Sequence, residues 1–261
     1  MNFKTLILYY LLLCTACTNP LAETGKQGIA DRRILNEQVI SNPYERVQEI
    51  PIPSGFTPLA RSQHSFAAWL QQVKLKKDKT VYLFNGREKH YQSAQFAVLD
   101  ISVGKQDLQQ CADAVMRLRA EYLFAVRNFK AIKFVDNNGT VYQFEEPYTA
   151  KNLQRFLTKV FAMCGSASLT KQLTAVPFEN IEPGDVIIRG GFPGHPVILM
   201  DVAVNAIGRK IYLLAQSYMP AQDIHVLLNP GKKESPWYDV NEMNAISTPE
   251  YNFKTNELKR W

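Results

Sequence analysis

Two side chains in this sequence could together break an acyl bond: the thiol of Cys111 and the imidazole of His195. A thiol attacks well only as thiolate, and a helix N-terminus or a nearby imidazolium favours that form. Cys111 lies in Leu108-Gln109-Gln110-Cys111-Ala112-Asp113-Ala114, early in the longest helical stretch, which suits a nucleophile at a helix start. Taken alone, a single helical cysteine also reads as a small buried hydrophobe. His195 follows Gly190-Gly191-Phe192-Pro193-Gly194 and opens the apolar run Val197-Ile198-Leu199-Met200, so glycines keep the mouth of a strand open beside the ring. A working pair would stand within about 4 Å. The rival thiol, Cys164, lies at a helix end, where the dipole disfavours thiolate; it reads as core. His64, His90 and His225 form no pair with metal-ligand spacing and there is no Cys-x-x-Cys, so neither metal nor cofactor is expected.

The elements that must hold these groups follow from hydrophobic period. Residues 47–50 alternate like a short strand before Pro51 and Pro53, and Phe66, Trp69, Leu70 and Val73 have helical spacing. Residues 80–84 and 95–101 read as strands. Over 106–126, Leu108, Ala112, Val115, Leu118, Tyr122 and Val126 share one stripe of a helix. A hairpin is expected around Asn137-Asn138-Gly139, and a helix over 152–163 that stops at Gly165. Beyond Pro183-Gly184 the chain turns to strands, at 185–189, 197–204, 210–216 and 224–228. Helices first and antiparallel strands after imply an α+β domain.

A cysteine at a helix start, then Pro183-Gly184-Asp185-Val186-Ile187-Ile188, then a histidine opening a strand resembles the NlpC-type cysteine peptidases and amidases of the papain-like superfamily. That resemblance covers about 110 residues. It implies a papain-like α+β domain with the nucleophile-bearing helix packed on an antiparallel sheet. Gln110 stands where those enzymes usually carry Asp, and Ala112-Asp113 where they carry Ser-Gly. Much more of the folded chain resembles an uncharacterised family of bacterial lipoproteins, domain of unknown function 4846. The residues that carry this are Gln110 to Glu121, Pro193-Gly194-His195, Ala215 to Gln222, Ser235-Pro236-Trp237-Tyr238 and Thr248-Pro249-Glu250.

The papain-like resemblance implies a polar third member on the strand after the histidine, and strand geometry can place it. Asp201 shares the parity of His195 but lies about 20 Å along the strand. If Asn205-Ala206-Ile207-Gly208 turns the chain, facing residue numbers sum to about 413, so Tyr218 opposes His195 and Gln216 lies one diagonal away on the same face. Gln216, whose amide oxygen can accept from the ring, is the expected third catalytic residue beside Cys111 and His195. The Cys111 N–H, with Gln110, would form the oxyanion hole. Tyr218 and Trp237 are the candidate groove lining, though aromatic residues of this kind also serve as core.

The N-terminus carries an address. Lys4, an apolar run from Leu6 to Leu13 and then Cys14-Thr15-Ala16-Cys17 describe a signal peptide over 1–16, too short to span a bilayer. Thr15-Ala16-Cys17 resembles a lipobox, which implies acylation of Cys17; Thr18 after it implies the outer membrane, facing the periplasm. Residues 17–46 read as a lipid-anchored tether, and 47–261 as a single domain with an N-terminal lobe and a C-terminal extension. Removing 1–16 takes Lys4, leaving 29 basic and 24 acidic residues, a net charge of about +5 spread without an aromatic-interleaved basic motif, so no nucleic-acid partner is expected. Only Cys111 and Cys164 then remain free to react or to pair. These readings converge on a cysteine hydrolase of the cell envelope, acting on peptidoglycan stem peptides or another envelope amide. A thiol acyl-hydrolase acting on lipid or ester, or a non-catalytic envelope binding module of the same fold, fits the same residues. Cys17→Ala should release the protein from the membrane fraction and abolish lipid labelling; unchanged fractionation sinks the anchor.

Overall fold

A computed structural model describes residues 41–232, 234–239 and 244–261. The signal peptide, Cys17 and most of the tether lie outside the described residues. The fold takes in residue 41 onward, earlier than the expected start at 47. Asn42 is fully buried, and its amide donates to the carbonyls of Tyr44 and Lys76, each at 3.0 Å.

The first half supplies helices. After the short strand β1 (Phe56–Pro58), α1 (Phe66–Gln71) starts where the Ser65 hydroxyl accepts from the Ala68 N–H at 3.1 Å. Strand β2 is Gln95–Val98. Helix α2 (Cys111–Ala125) buries Ala112, Ala114, Val115, Met116, Leu118, Ala120 and Leu123, a stripe with enough small residues to lie close against a sheet. The hairpin expected around Asn138 forms β3 (Lys133–Val135) and β4 (Val141–Gln143), and α3 (Ala150–Met163) buries Leu153, Leu157 and Val160. Gly165 ends that helix as expected. It also starts another, α4 (Ser166–Gln172), because the Ser168 hydroxyl accepts the Gly165 N–H at 3.0 Å.

Two expected strands do not form, and side chains explain both. Residues Val47–Glu49 make a 3-10 turn: the Glu49 carboxylate accepts the Glu45 N–H at 2.7 Å, and the Ile50 N–H returns to Val47. At residues 80–84 pairing stops at single bridges, Tyr82 with Glu88 and Leu83 with Gln222, because the Asp223 carboxylate accepts the Tyr82 N–H and the Gln92 side chain the Val81 N–H.

The second half builds the sheet. Strands β5 (Thr174–Ala175), β6 (Val186–Arg189), β7 (His195–Asn205), β8 (Lys210–Gln216) and β9 (His225–Leu227) are followed in the tail by β10 (Trp237–Tyr238), β11 (Ala245–Ser247), β12 (Asn252–Lys254) and β13 (Leu258–Arg260). The order is β2-β9-β8-β7-β6-β13-β5, with β1 on β7 and β10 on β8, and every pairing is antiparallel. The chain is therefore α+β, with helices on one sheet face. Along β7, Ile198 and Met200 join the core under α2, while Val197 and Leu199 join a second core closed by Ile246, Phe253 and Leu258 of the tail. Covered on both sides, the strand is apolar at successive positions. The tail is pinned by Arg260, whose Nε and Nη2 donate to Asp185 Oδ1 and Oδ2 at 2.6 and 2.9 Å. Asp185 belongs to the Pro-Gly-Asp segment and is 1% exposed.

The approach to β7 is packed so closely that only glycine fits at 194. A Cβ there would stand 2.7 Å from the carbonyl oxygens of Arg189 and Gly191, and closer still to the Ser166 hydroxyl. Two of those neighbours are backbone and cannot swing aside. Gly194→Ala should cost about 1–3 kcal/mol by overpacking, seen as a lower urea midpoint at unchanged slope. An unaltered midpoint would show that this loop relaxes freely.

Candidate functional site

Cys111 is the first residue of α2, and its own N–H and that of Ala112 face its sulfur. The segment that leads into the helix is tied to the residues that follow β8: the Ser217 hydroxyl donates to the Gln109 carbonyl at 3.0 Å, and the Ala221 N–H to Asp107 at 2.6 Å. The start of α4 is tied in the same way to the approach of β7, by the Ser166 hydroxyl on the Gly191 carbonyl at 3.3 Å. The start of α2, the start of α4, the first residue of β7 and the last of β8 therefore gather at one end of the sheet.

His195 sits there, 2% exposed, and its Nε2 meets the Gln216 amide oxygen at 2.8 Å. The hairpin register makes this contact. Ile198 faces Ala215 and Leu199 faces Leu214, so alternation puts His195 and Gln216 on one face. The Gln216 amide nitrogen donates in turn to Glu250 at 2.7 Å. Tyr218, Tyr251 and Phe253 surround the imidazole, with ring centroids 4.7, 5.0 and 5.9 Å from it. Glu250, Tyr251 and Phe253 come from the tail and were not expected at the site. Their only sequence signal is Thr248-Pro249-Glu250, which carries family resemblance but has no spacing relation to His195.

Cys111 reaches this end from the other side. Its helix covers the face of Ile198 and Ala215, whereas His195 and Gln216 share the face of Val197 and Leu214, closed by the tail. No hydrogen bond joins the Cys111 thiol to the His195 ring among the described residues. Tyr218 lies between them: its ring packs on His195, and its phenol is raised by burial, by Glu250 and by Cys111. The ring nitrogen Nδ1 of His195 has no hydrogen-bond partner among the described residues, which leaves a lone pair free to take a proton.

Two of the other expected site residues are occupied elsewhere. The Gln110 N–H already donates to Asp113 Oδ2 at 3.0 Å and to the Leu108 carbonyl at 2.8 Å, and its amide to Asp107 at 3.1 Å. Helix capping thus consumes the donor that an oxyanion hole would need; the N–H groups of Cys111 and Ala112 are left facing the Cys111 sulfur. Trp237 is 1% exposed, is paired in β10 and donates to the Pro51 carbonyl at 2.7 Å, so it is core rather than groove lining. Cys111 and Cys164 are free thiols, and Cys164 is buried. Among the described residues no cluster of three His, Cys, Asp or Glu could hold a metal ion.

Burial sets the electrostatics. It pushes the Cys111 thiol up to about 12, with the Asp113 carboxyl adding to the rise. Burial also takes His195 down to about 4, against the pull of Gln216, and Lys89 lowers it further. Near neutral pH these two groups therefore rest as a thiol and a neutral imidazole.

These features define an α+β protein with a helix-start cysteine and a glutamine-oriented histidine at one end of an antiparallel sheet. The chain belongs to the family described as domain of unknown function (4846), whose model matches residues 47–150 and 141–260. No curated protein matches the sequence. No solved structure matches it.

A neutral thiol predicts the pH dependence of alkylation. In a Cys164→Ala background, the rate of iodoacetamide labelling at Cys111 should climb steadily from pH 7 to pH 10, since the thiolate fraction grows about tenfold per pH unit below the pKa. Asp113→Asn should raise the rate towards pH 10, where Asp113, itself raised by burial, carries the charge that opposes the thiolate. A plateau below pH 8 would instead mean a preformed thiolate–imidazolium pair.

Proposed function

We propose that the protein is a cysteine hydrolase, an amidase or endopeptidase of papain-like, NlpC-type architecture, acting on cell-wall peptides in the bacterial envelope. The observation that carries this reading is the Gln216-oriented His195 at the same sheet end as the first turn of the Cys111 helix. In this mechanism the Tyr218 ring swings aside and substrate enters between Cys111 and His195. His195 Nδ1 takes the thiol proton as sulfur bonds to the carbonyl carbon, and the carbonyl oxygen gains charge beside the N–H groups of Cys111 and Ala112. The proton then passes to the leaving amine, and water releases the acyl group by the reverse steps. The envelope address rests on the signal peptide and Cys17, and it makes peptidoglycan stem peptides the natural amides.

Two other readings each have an observation behind them. A non-catalytic envelope binding module is favoured by the neutral, half-buried thiol and the missing Cys111–His195 hydrogen bond. An acyl-ester or lipid substrate is favoured by Phe192 and Met219, 89% and 59% exposed, on the loops that precede His195 and follow Gln216.

Digestion of purified peptidoglycan, with products separated by mass, discriminates. Wild type and Cys164→Ala should release fragments, while Cys111→Ala and His195→Ala should lose at least ~100-fold, the usual scale of acid–base catalysis. Gln216→Ala should lose less, because it only orients the ring. Equal digestion by wild type and Cys111→Ala would falsify the mechanism. No digestion by any of them, with turnover of a fatty-acyl ester, moves the substrate to lipid; neither activity leaves the binding module.

A further inference from the structure

Behind Gln216 lies a buried ion pair that no catalytic step uses. Lys89 Nζ stands 2.6 Å from Glu250 Oε2, and the same oxygen accepts the Gln216 amide N–H at 2.7 Å. The two side chains are only 8% and 14% exposed, although Lys and Glu rarely go inside unless paired. They come from distant parts of the chain, one from the segment before β2 and one from the tail between β11 and β12.

The chemistry of these groups gives the array a direction. An ammonium has donors only, and a carboxylate paired with it has acceptors only. A glutamine amide carries one of each and is nearly symmetric in shape, so its neighbours decide which end faces where. With Glu250 as acceptor, the Gln216 nitrogen must point to Glu250 and its oxygen to His195. An oxygen facing Nε2 requires Nε2 to carry the hydrogen, and the neutral ring then leaves Nδ1 bare.

We infer that Lys89 and Glu250 are positioning residues that hold His195 in its Nε2–H tautomer by fixing the orientation of the Gln216 amide. The tautomer itself is independent of the hydrolase reading; its use, a bare Nδ1 able to take the Cys111 proton, rests on that reading. The array makes His195 a one-sided base, and its two charges are paired with each other rather than with the ring.

The test is nitrogen NMR of the full chain labelled with 15N-histidine, the His195 signals being assigned by their loss in His195→Gln. Wild type should show protonated Nε2 and unprotonated Nδ1. In Glu250→Gln, where either end of the new amide can face Gln216, the Nε2–H form should lose its dominance to the Nδ1–H form. The double variant Lys89→Met/Glu250→Gln removes the charge pair as a unit and should shift the tautomer in the same direction; it serves if the single variant fails to fold. A wild-type ring protonated at Nδ1 overturns the proposal without any variant. A folded variant that keeps the wild-type tautomer overturns it too. An Nε2–H ring in a protein that digests nothing upholds the array and counts only against the hydrolase.

Discussion

Strand β7 has no side that faces water, and the rest of the molecule is arranged around that condition. Alternate residues along it serve two cores. Ile198, Met200 and Ala203 serve the one beneath the helices; Val197, Leu199 and Val202 serve the one beneath the tail. A strand apolar at every step needs both faces covered, because leaving either wet forfeits roughly 25 cal/mol for each Å² of apolar surface. The polar, turn-rich tail is therefore structural. It returns as β13 into the sheet, and Asp185–Arg260 and Arg189–Glu257 anchor its end.

Covering the second face also sets the environment of His195. The imidazole begins β7, so the tail that seals Val197 and Leu199 brings Tyr251 and Phe253 against it and Glu250 against Gln216. In so dry a setting a charged ring is disfavoured, and the polar array behind it works through hydrogen-bond direction rather than through a counter-charge on the ring. A neutral base with one bare nitrogen is what a proton transfer coupled to attack requires.

The start of α2 shows a conflict between folding and chemistry. Asp113 stabilises the first turn by accepting the Gln110 N–H, which it shares with the Leu108 carbonyl. The same carboxyl lies near the Cys111 sulfur and opposes thiolate. The chain has taken the better cap and a quieter thiol.

Local pattern was enough for much of this. The helical stripe through Ala112, Val115 and Leu118, the turn after Asn205, and glycine-flanked His195 are readable because period and turn chemistry act over a few residues. The placement of Gln216 beside His195 was legible too, although for a reason the sequence does not display. The loop holds one residue more than the turn chemistry suggests, and a bulge between Leu199 and Asp201 takes up the difference. What the sequence could not express is contact between segments far apart. Lys89, Glu250, Tyr251 and Phe253 carry no period that points to position 195, and Trp237 looks the same on paper whether it lines a groove or fills a core. Which sheet face each residue meets, and therefore that Cys111 and His195 approach the strand ends from opposite sides, was decided by how the two cores close. That closure depends on burying surface from the whole chain at once, a quantity no single stretch of sequence contains.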